Sequence, residues 1–255
     1  KEGFYHVAGF AGADPNGRYS TGADRFEFAA GEIQKSWANL GDVEVVVLHF
    51  WVDTHLPIAA VDEEKRLVTF TRKSRRRFTD DHTARGARYY VDNVSEALAP
   101  GEFYLDRATG VLTYWPLPGE DMAKTEVIAP CLTNVLRFEG DWQQGRLVEH
   151  IALRGLTFSH AQWELPANDA GDLQSANTAP GAILLTGARD VEIADCAVAH
   201  SGAYGLELSD GCTRVRVLRN ELYDLGAGGI KVSGGDAASL PERRTGGNVF
   251  TDNHV

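Results

Sequence analysis

The chain has 255 residues, 43% hydrophobic and 24% charged, an ordinary composition for a globular protein able to bury a substantial core. Lys and Arg number 25 against 36 Asp and Glu, and the net charge of -11 speaks against nucleic acid or an anionic membrane as the main partner. No apolar run approaches the ~20 residues of a membrane span, and Cys131, Cys196 and Cys212 lack zinc-site or disulfide-framework spacing and read as small buried residues.

The opening "KEGFYHV" contains neither an initiator methionine nor a signal peptide, so these residues do not decide a compartment. Short β-rich runs then dominate, among them "VEVVVLHFWV" (43–52), "RLVTFT" (66–71) and "GVLTYWP" (110–116). Helical periodicity is scarce. Its best candidates, Glu32–Ala38 and Asn93–Ala97, are short, and Pro100 and Gly101 would stop the second. The cluster "RKSRRR" (72–77) precedes "TDDH" and reads as a solvated hairpin end beside neutralising acids, with an anionic-ligand site as the alternative. Residues 1–147 do not repeat and are expected to form a β-rich insertion or cap.

The second part of the chain repeats. "VEIADCAVAHSGAYGLELSDG" (191–211) lies over "VRVLRNELYDLGAGGIKVSGG" (215–235) at an offset of 24, matching Val191, Ile193, Val198, Leu206 and Leu208 with Val215, Val217, Leu222, Ile230 and Val232. "IALRGLTFSH" (151–160) aligns at offset 40, "ILL" (183–185) at 23, and "NVFTDNHV" (248–255) at 33. The difference between 40 and 23 places a 17-residue loop within 162–179. Each unit holds three short alternating strands and cannot bury its apolar face alone, so the units must stack. The expected fold is all-β: a right-handed parallel β-helix with three strands per coil over 148–255, truncated at the C-terminus. One column reads Leu156, Cys196, Asn220, Asn253, and its asparagines suit a stacked turn ladder. Gly226 and Gly229 of "YDLGAGGIKVSGG" (223–235) recur one unit earlier as Gly202 and Gly205, so they are read as turn or close-approach residues rather than a phosphate cradle.

"GEFYLDRATGVLTYWPLPGE" (101–120), "VIAP" (127–130), "ALRGLTFSHAQW", "GAILLTGARDVEIADCAVAHSGAYGLEL" and "LYDLGAGGIKV" follow one another in an order that resembles bacterial right-handed parallel β-helix proteins of the pectin-lyase-like superfamily, especially those akin to glycoside hydrolase family 141. "HFWVDTHLPIAAVDEEKRLVTF" (49–70) is similar to their N-terminal part. The resemblance implies a secreted or periplasmic protein acting on polysaccharide or oligosaccharide, with fucosidase and xylanase activities known in the family. Its members continue for further coils, whereas "TDNHV" ends in mid-coil. The chain is therefore expected to be a piece of a longer protein, inactive by itself.

Glycosidases need two carboxyl groups, about 5–5.5 Å apart when retaining and about 6.5–9.5 Å when inverting, and rungs of a parallel stack recur at about 4.8 Å. The column His160, His200, Asp224 places His200 and Asp224 on adjacent rungs, as an acid–base pair or as a polar ladder closing the turn. A second column, Leu184, Glu207, Lys231, reads outward, as an acid with a charge-tuning lysine or as a surface ion pair. Asp224, His200 and Glu207 are thus the catalytic candidates, and His160, Trp163 and Lys231 the substrate-binding ones. Trp163 either stacks on a sugar or anchors the inserted loop. Asp169 and Asp172 are weak cation-ligand candidates, and Tyr114 and Trp115 read as packing residues. No cofactor or metal is implied, and nucleophile-elbow and Walker motifs are absent. A polysaccharide lyase and a non-catalytic glycan-binding or adhesive solenoid remain as alternatives.

Overall fold

A computed structural model describes residues 3–80 and 83–255. The chain divides into two compact units, Lys1–Glu126 with Leu165–Gln174, and Val127–Glu164 with Ser175–Val255. Strands dominate both. Helical geometry among the described residues is confined to three-residue 3-10 turns.

The first unit is built on a six-stranded antiparallel sheet, in the order Tyr5–His6, Arg88–Asp92, Glu44–Leu48, Asp53–Asp62, Leu67–Phe70, Arg25–Glu27. Alternation sends Val45, Val47, Leu56, Val68 and Tyr89 into one core. Phe26 packs there against Phe70, Phe78 and Tyr89 at ring separations of 5.0–5.4 Å. The run 43–52 is not one strand: it ends at Leu48, and Phe50 and Trp51 form the tip of a hairpin closed by the His49 N–H donating to the Val52 carbonyl at 2.9 Å.

Neither helix candidate forms as expected. Residues 32–38 make turns in which the Glu32 carboxylate accepts from the Ala29 N–H at 3.0 Å and the Tyr89 hydroxyl at 2.7 Å. Within 93–97 only Ser95–Ala97 forms a 3-10 turn. Both segments are too short to offset the cost of helix nucleation. Trp115 is exposed rather than packed, and so is Cys131.

The arginine cluster is no solvated hairpin end. Arg72 donates to the carbonyls of Ala167 and Asp169, and Arg75 to the Gly171 carbonyl and the Asp169 carboxylate. Asp169 is therefore committed to a guanidinium rather than available to a cation. Of the acids expected to neutralise the cluster, Asp81 lies outside the described residues, as does His82.

The second unit consists of parallel rungs in three longer sheets and a short two-stranded pair, Val148–Glu149 with Ala188–Arg189. One runs Ala152–Arg154, Glu192–Ala194, Arg216–Leu218, Val249–Thr251; the next Thr157–Ser159, Ala197–Ser201, Glu221–Leu225; the third Leu136–Glu139, Gly181–Thr186, Tyr204–Leu208, Ile230–Val232. The pairings reproduce every repeat offset. Ile193 pairs with Val217, Leu153 with Ile193, Ile183 with Leu206, and Val217 with Phe250. Ile183, Leu185, Ile193, Val198, Leu206, Leu208, Val217 and Leu222 fill the interior. The asparagine ladder is present. Asn220 Oδ1 accepts from the Cys196 N–H at 2.9 Å, its Nδ2 donates to the Ile193 carbonyl at 3.0 Å, and Asn253 repeats the pattern on the Asn220 N–H and the Val217 carbonyl.

Of the two roles open to the recurring glycines, close approach is the one that holds. Gly202, Gly205, Gly226 and Gly229 have no positive φ. They are needed for close approach: a Cβ on Gly226 would lie 2.3 Å from the Gly202 carbonyl oxygen. The left-handed corners fall every five residues on His150, Gly155 and His160; Asp190, Asp195 and His200; Arg214, Arg219 and Asp224; and Gly247 and Asp252. A non-glycine residue in that region costs about 1 kcal/mol or more, so stacking must over-determine each corner.

Candidate functional site

Three corner columns run along the parallel stack. At two of them an arginine forks onto the aspartate one rung below: Arg214 reaches Asp190 at 2.5 and 2.7 Å, and Arg219 reaches Asp195 at 2.7 and 2.8 Å. These bidentate bonds hold both aspartates below the usual carboxylate range. They are polar ladders with both charges already matched.

The third column has the same backbone and different chemistry. His200 Nδ1 lies 2.6 Å from Asp224 Oδ2, and the His160 ring stacks on His200 at 5.0 Å with 12° between planes. His200 and Asp224 are exposed. In the tautomer that donates Nδ1–H to Asp224, the imidazole presents Nε2 away from the carboxylate. That arrangement can accept or deliver a proton, as a guanidinium cannot. Tyr223, with its side chain on the opposite face of its strand from the interior Leu222, is 50% exposed and meets the His200 ring edge-on at 5.8 Å. Sequence reasoning passed over Tyr223, although the alternation Leu222-in, Tyr223-out places it beside the corner residue Asp224.

Glu207 and Lys231 do align in register on the outer side of adjacent strands, between interior neighbours, but they are covered. Lys231 Nζ lies 3.1 Å from Glu207 Oε1 and donates to the carbonyls of Asn177 and Ala179. Glu207 Oε2 accepts from the Gly181 N–H at 3.0 Å, and Oε1 from the Ser233 hydroxyl. The Tyr204 hydroxyl donates to the Ser175 carbonyl, and its ring lies 5.3 Å from Lys231 Nζ. The pair therefore fastens residues 175–181 over the third sheet, with its hydrogen-bonding capacity engaged. Nothing in the spacing of Glu207 and Lys231 disclosed the covering segment, because that segment belongs to the inserted loop.

Trp163 is half-buried, and the chain there packs on Gly202, where a Cβ would lie 2.8 Å from the Trp163 nitrogen. Glu149, His150 and Asp190 bring three potential ligand atoms within 4.8 Å of one another. Arg189 and Arg214 already occupy the two carboxylates, an electrostatic setting that opposes a cation.

No family model matches the chain, and no curated protein sequence does. Among solved structures it is similar to a chain named "Glycoside hydrolase", with 19% sequence identity, a TM-score of 0.70, and coverage of 92% of this chain and 47% of the other. At that identity the likeness is one of fold: the chain has a glycoside hydrolase-like fold and spans about half the length of that neighbour.

Proposed function

We propose that this chain belongs to an exported, bacterial-type carbohydrate-active enzyme, a glycoside hydrolase, in which His200 and Asp224 supply acid–base chemistry at an exposed corner. On this reading the three stacked sheets form a right-handed parallel β-helix of the pectin-lyase-like kind. Residues 1–147 lead into the coils of 148–255, with Leu136–Glu139 already stacked as a rung against Gly181–Thr186, and the relation to glycoside hydrolase family 141 is part of the proposal. The observation that carries the functional reading is the 2.6 Å imidazole–carboxylate contact, placed where the other two corners hold inert Arg–Asp forks. The neighbour's name supports the substrate class.

In this scheme Asp224 fixes the His200 tautomer, and Nε2 exchanges a proton with a water or a glycosidic oxygen. Tyr223 offers a ring against which a pyranose can pack, and His160 limits the tilt of His200 from the rung below. A second carboxylate at glycosidase distance is required and is not assigned. The lyase alternative would use a lysine or arginine as base. Lys231 is a poor one, being committed to Glu207 and two carbonyls.

The test is turnover of fucosylated and xylan-type glycans by the longest protein containing this chain, with reducing ends and unsaturated products followed separately. Reducing ends should appear, and Asp224→Asn and His200→Ala should each lower kcat by about 100-fold or more. Unsaturated products, or unchanged turnover in both variants, would overturn the reading.

A further inference from the structure

The hairpin between Glu44–Leu48 and Asp53–Asp62 breaks the usual turn chemistry. Two-residue hairpin turns favour Asn, Asp or Gly with positive φ. Here the tip is Phe50-Trp51, neither with positive φ, and the side chains stand 57% and 42% exposed. Large aromatics at such a tip contribute little to the core, and local rules broken without a packing gain point to function.

The rings nevertheless contact one another and Tyr19. Phe50 packs edge-on against Trp51 at 4.9 Å, and Trp51 tilts on Tyr19 at 5.8 Å. The Tyr19 hydroxyl accepts from the Phe50 N–H at 3.3 Å. The guanidinium carbons of Arg76 and Arg77 lie 5.5 and 5.9 Å from the Tyr19 ring centre. Arg77 is tied to Thr79 and Gly17. Arg76 is not so committed. Nη1 donates to the Arg75 carbonyl at 3.1 Å, and Nε has no hydrogen-bond partner among the described residues. No carboxylate pairs with Arg76 among the described residues. The adjacent His49 is buried and held down to about 4 by burial and by the Arg76 charge, so it is neutral near pH 7 and leaves the positive charge to the arginines.

We propose that Trp51, Tyr19 and Arg76 form a binding subsite for an anionic glycan, whose pyranose ring stacks on Trp51 while a carboxylate or sulfate on the same or an adjacent sugar meets Arg76. The carbohydrate class rests on the functional reading above; the anionic character rests on Arg76 alone. A glycan strand engages only this row, whereas an anionic bilayer would face a broad surface of a protein carrying a net charge of -11. The subsite lies within the first unit and involves neither His200 nor Asp224.

Calorimetric titration with a mannuronate hexasaccharide and with mannohexaose tests the proposal, since the two share stereochemistry and differ in the C6 carboxylates. The mannuronate should bind saturably and mannohexaose at least about tenfold more weakly. Trp51→Ala should abolish both, and Arg76→Gln should reduce mannuronate binding to the mannohexaose level, with thermal unfolding midpoints confirming that the variants fold. Absence of saturable binding, affinities unchanged in both variants, equal affinity for the two sugars, or preferential capture by phosphatidylserine vesicles would overturn it. Binding without turnover would leave this subsite standing and count against the hydrolase reading, while turnover without binding would do the reverse.

Discussion

Two acid–base pairs in the parallel stack have the same sequence spacing and opposite fates. Glu207–Lys231 and His200–Asp224 each join residues 24 apart on consecutive rungs. The first is roofed by residues 175–181 and has its donors and acceptors taken up by Gly181, Ser233, Asn177 and Ala179. The second is exposed, and among the described residues His200 hydrogen-bonds through Nδ1 alone. Rung spacing brings two side chains together, but what lies over them decides whether the pair fastens the fold or meets a substrate. A buried pair is strongly interdependent, since removing one partner leaves a desolvated charge, whereas an exposed pair can be altered with little effect on the fold.

The largest effect should therefore come from the roofed pair. Lys231→Met strands the Glu207 carboxylate and should lower unfolding free energy by about 3–5 kcal/mol, read by urea denaturation. The double variant Glu207→Leu with Lys231→Met should recover a good part of that loss. A cost below ~1 kcal/mol for the single change would make the pair equivalent to a surface contact and erase the contrast.

The asparagine ladder tests the same principle without charge. Asn220→Ala orphans the Cys196 N–H and the Ile193 carbonyl, and should cost about 1–3 kcal/mol in the same measurement. This ladder was legible in the sequence because stacking forces aligned residues into one column, and two asparagines 33 apart in a repeat have few other uses. The register was legible for the same reason: alternation of Ile193, Val198, Leu206 and Leu208 with small or polar neighbours admits one inward set. The roof over Glu207 was not legible, since it arises from a non-repeating insertion. Nor were most of the left-handed corners, which apart from Gly155 and Gly247 fall on His, Asp and Arg where intrinsic preference suggests glycine. Residues 43–52 misled for a related reason. Phe50 and Trp51 have strong strand propensity, and only the pairing of Leu48 with Asp53 reveals a turn there.

A smaller effect is expected at the open corners. Asp224→Asn and Arg219→Ala should each leave the urea unfolding midpoint close to that of the wild type, because both positions are exposed. The two variants should differ in turnover alone, with Arg219→Ala near wild type and Asp224→Asn impaired. Equal impairment in both would mean that the third corner is one more structural ladder.

The first unit supplies a His–carboxylate pair in a half-buried setting, and so a gentler probe of what covering does. His55 Nδ1 lies 3.3 Å from Glu44 Oε2, and His55 Nε2 lies 3.8 Å from Asp53 Oδ2. The hydrogen bond to Glu44 raises His55 above its ordinary value against the opposing effect of burial, with Asp53, Glu44 and Asp92 adding their charge. The same bond lowers Glu44. The His55 contribution to stability is complete below the unfolded value near 6.5 and is lost as pH rises through the raised folded value. The Glu44 contribution is present above its unfolded value near 4.5 and is lost as pH falls through the lowered one. Both act together between about pH 4.5 and 6.5. Unfolding free energy should accordingly decline from pH 6 toward pH 8.5, and His55→Gln should flatten that decline while leaving the acid side less changed. A decline of undiminished slope in His55→Gln would show that covering a His–carboxylate pair to this degree does not couple it to the fold, and would confine the contrast between open and covered pairs to the fully roofed Glu207.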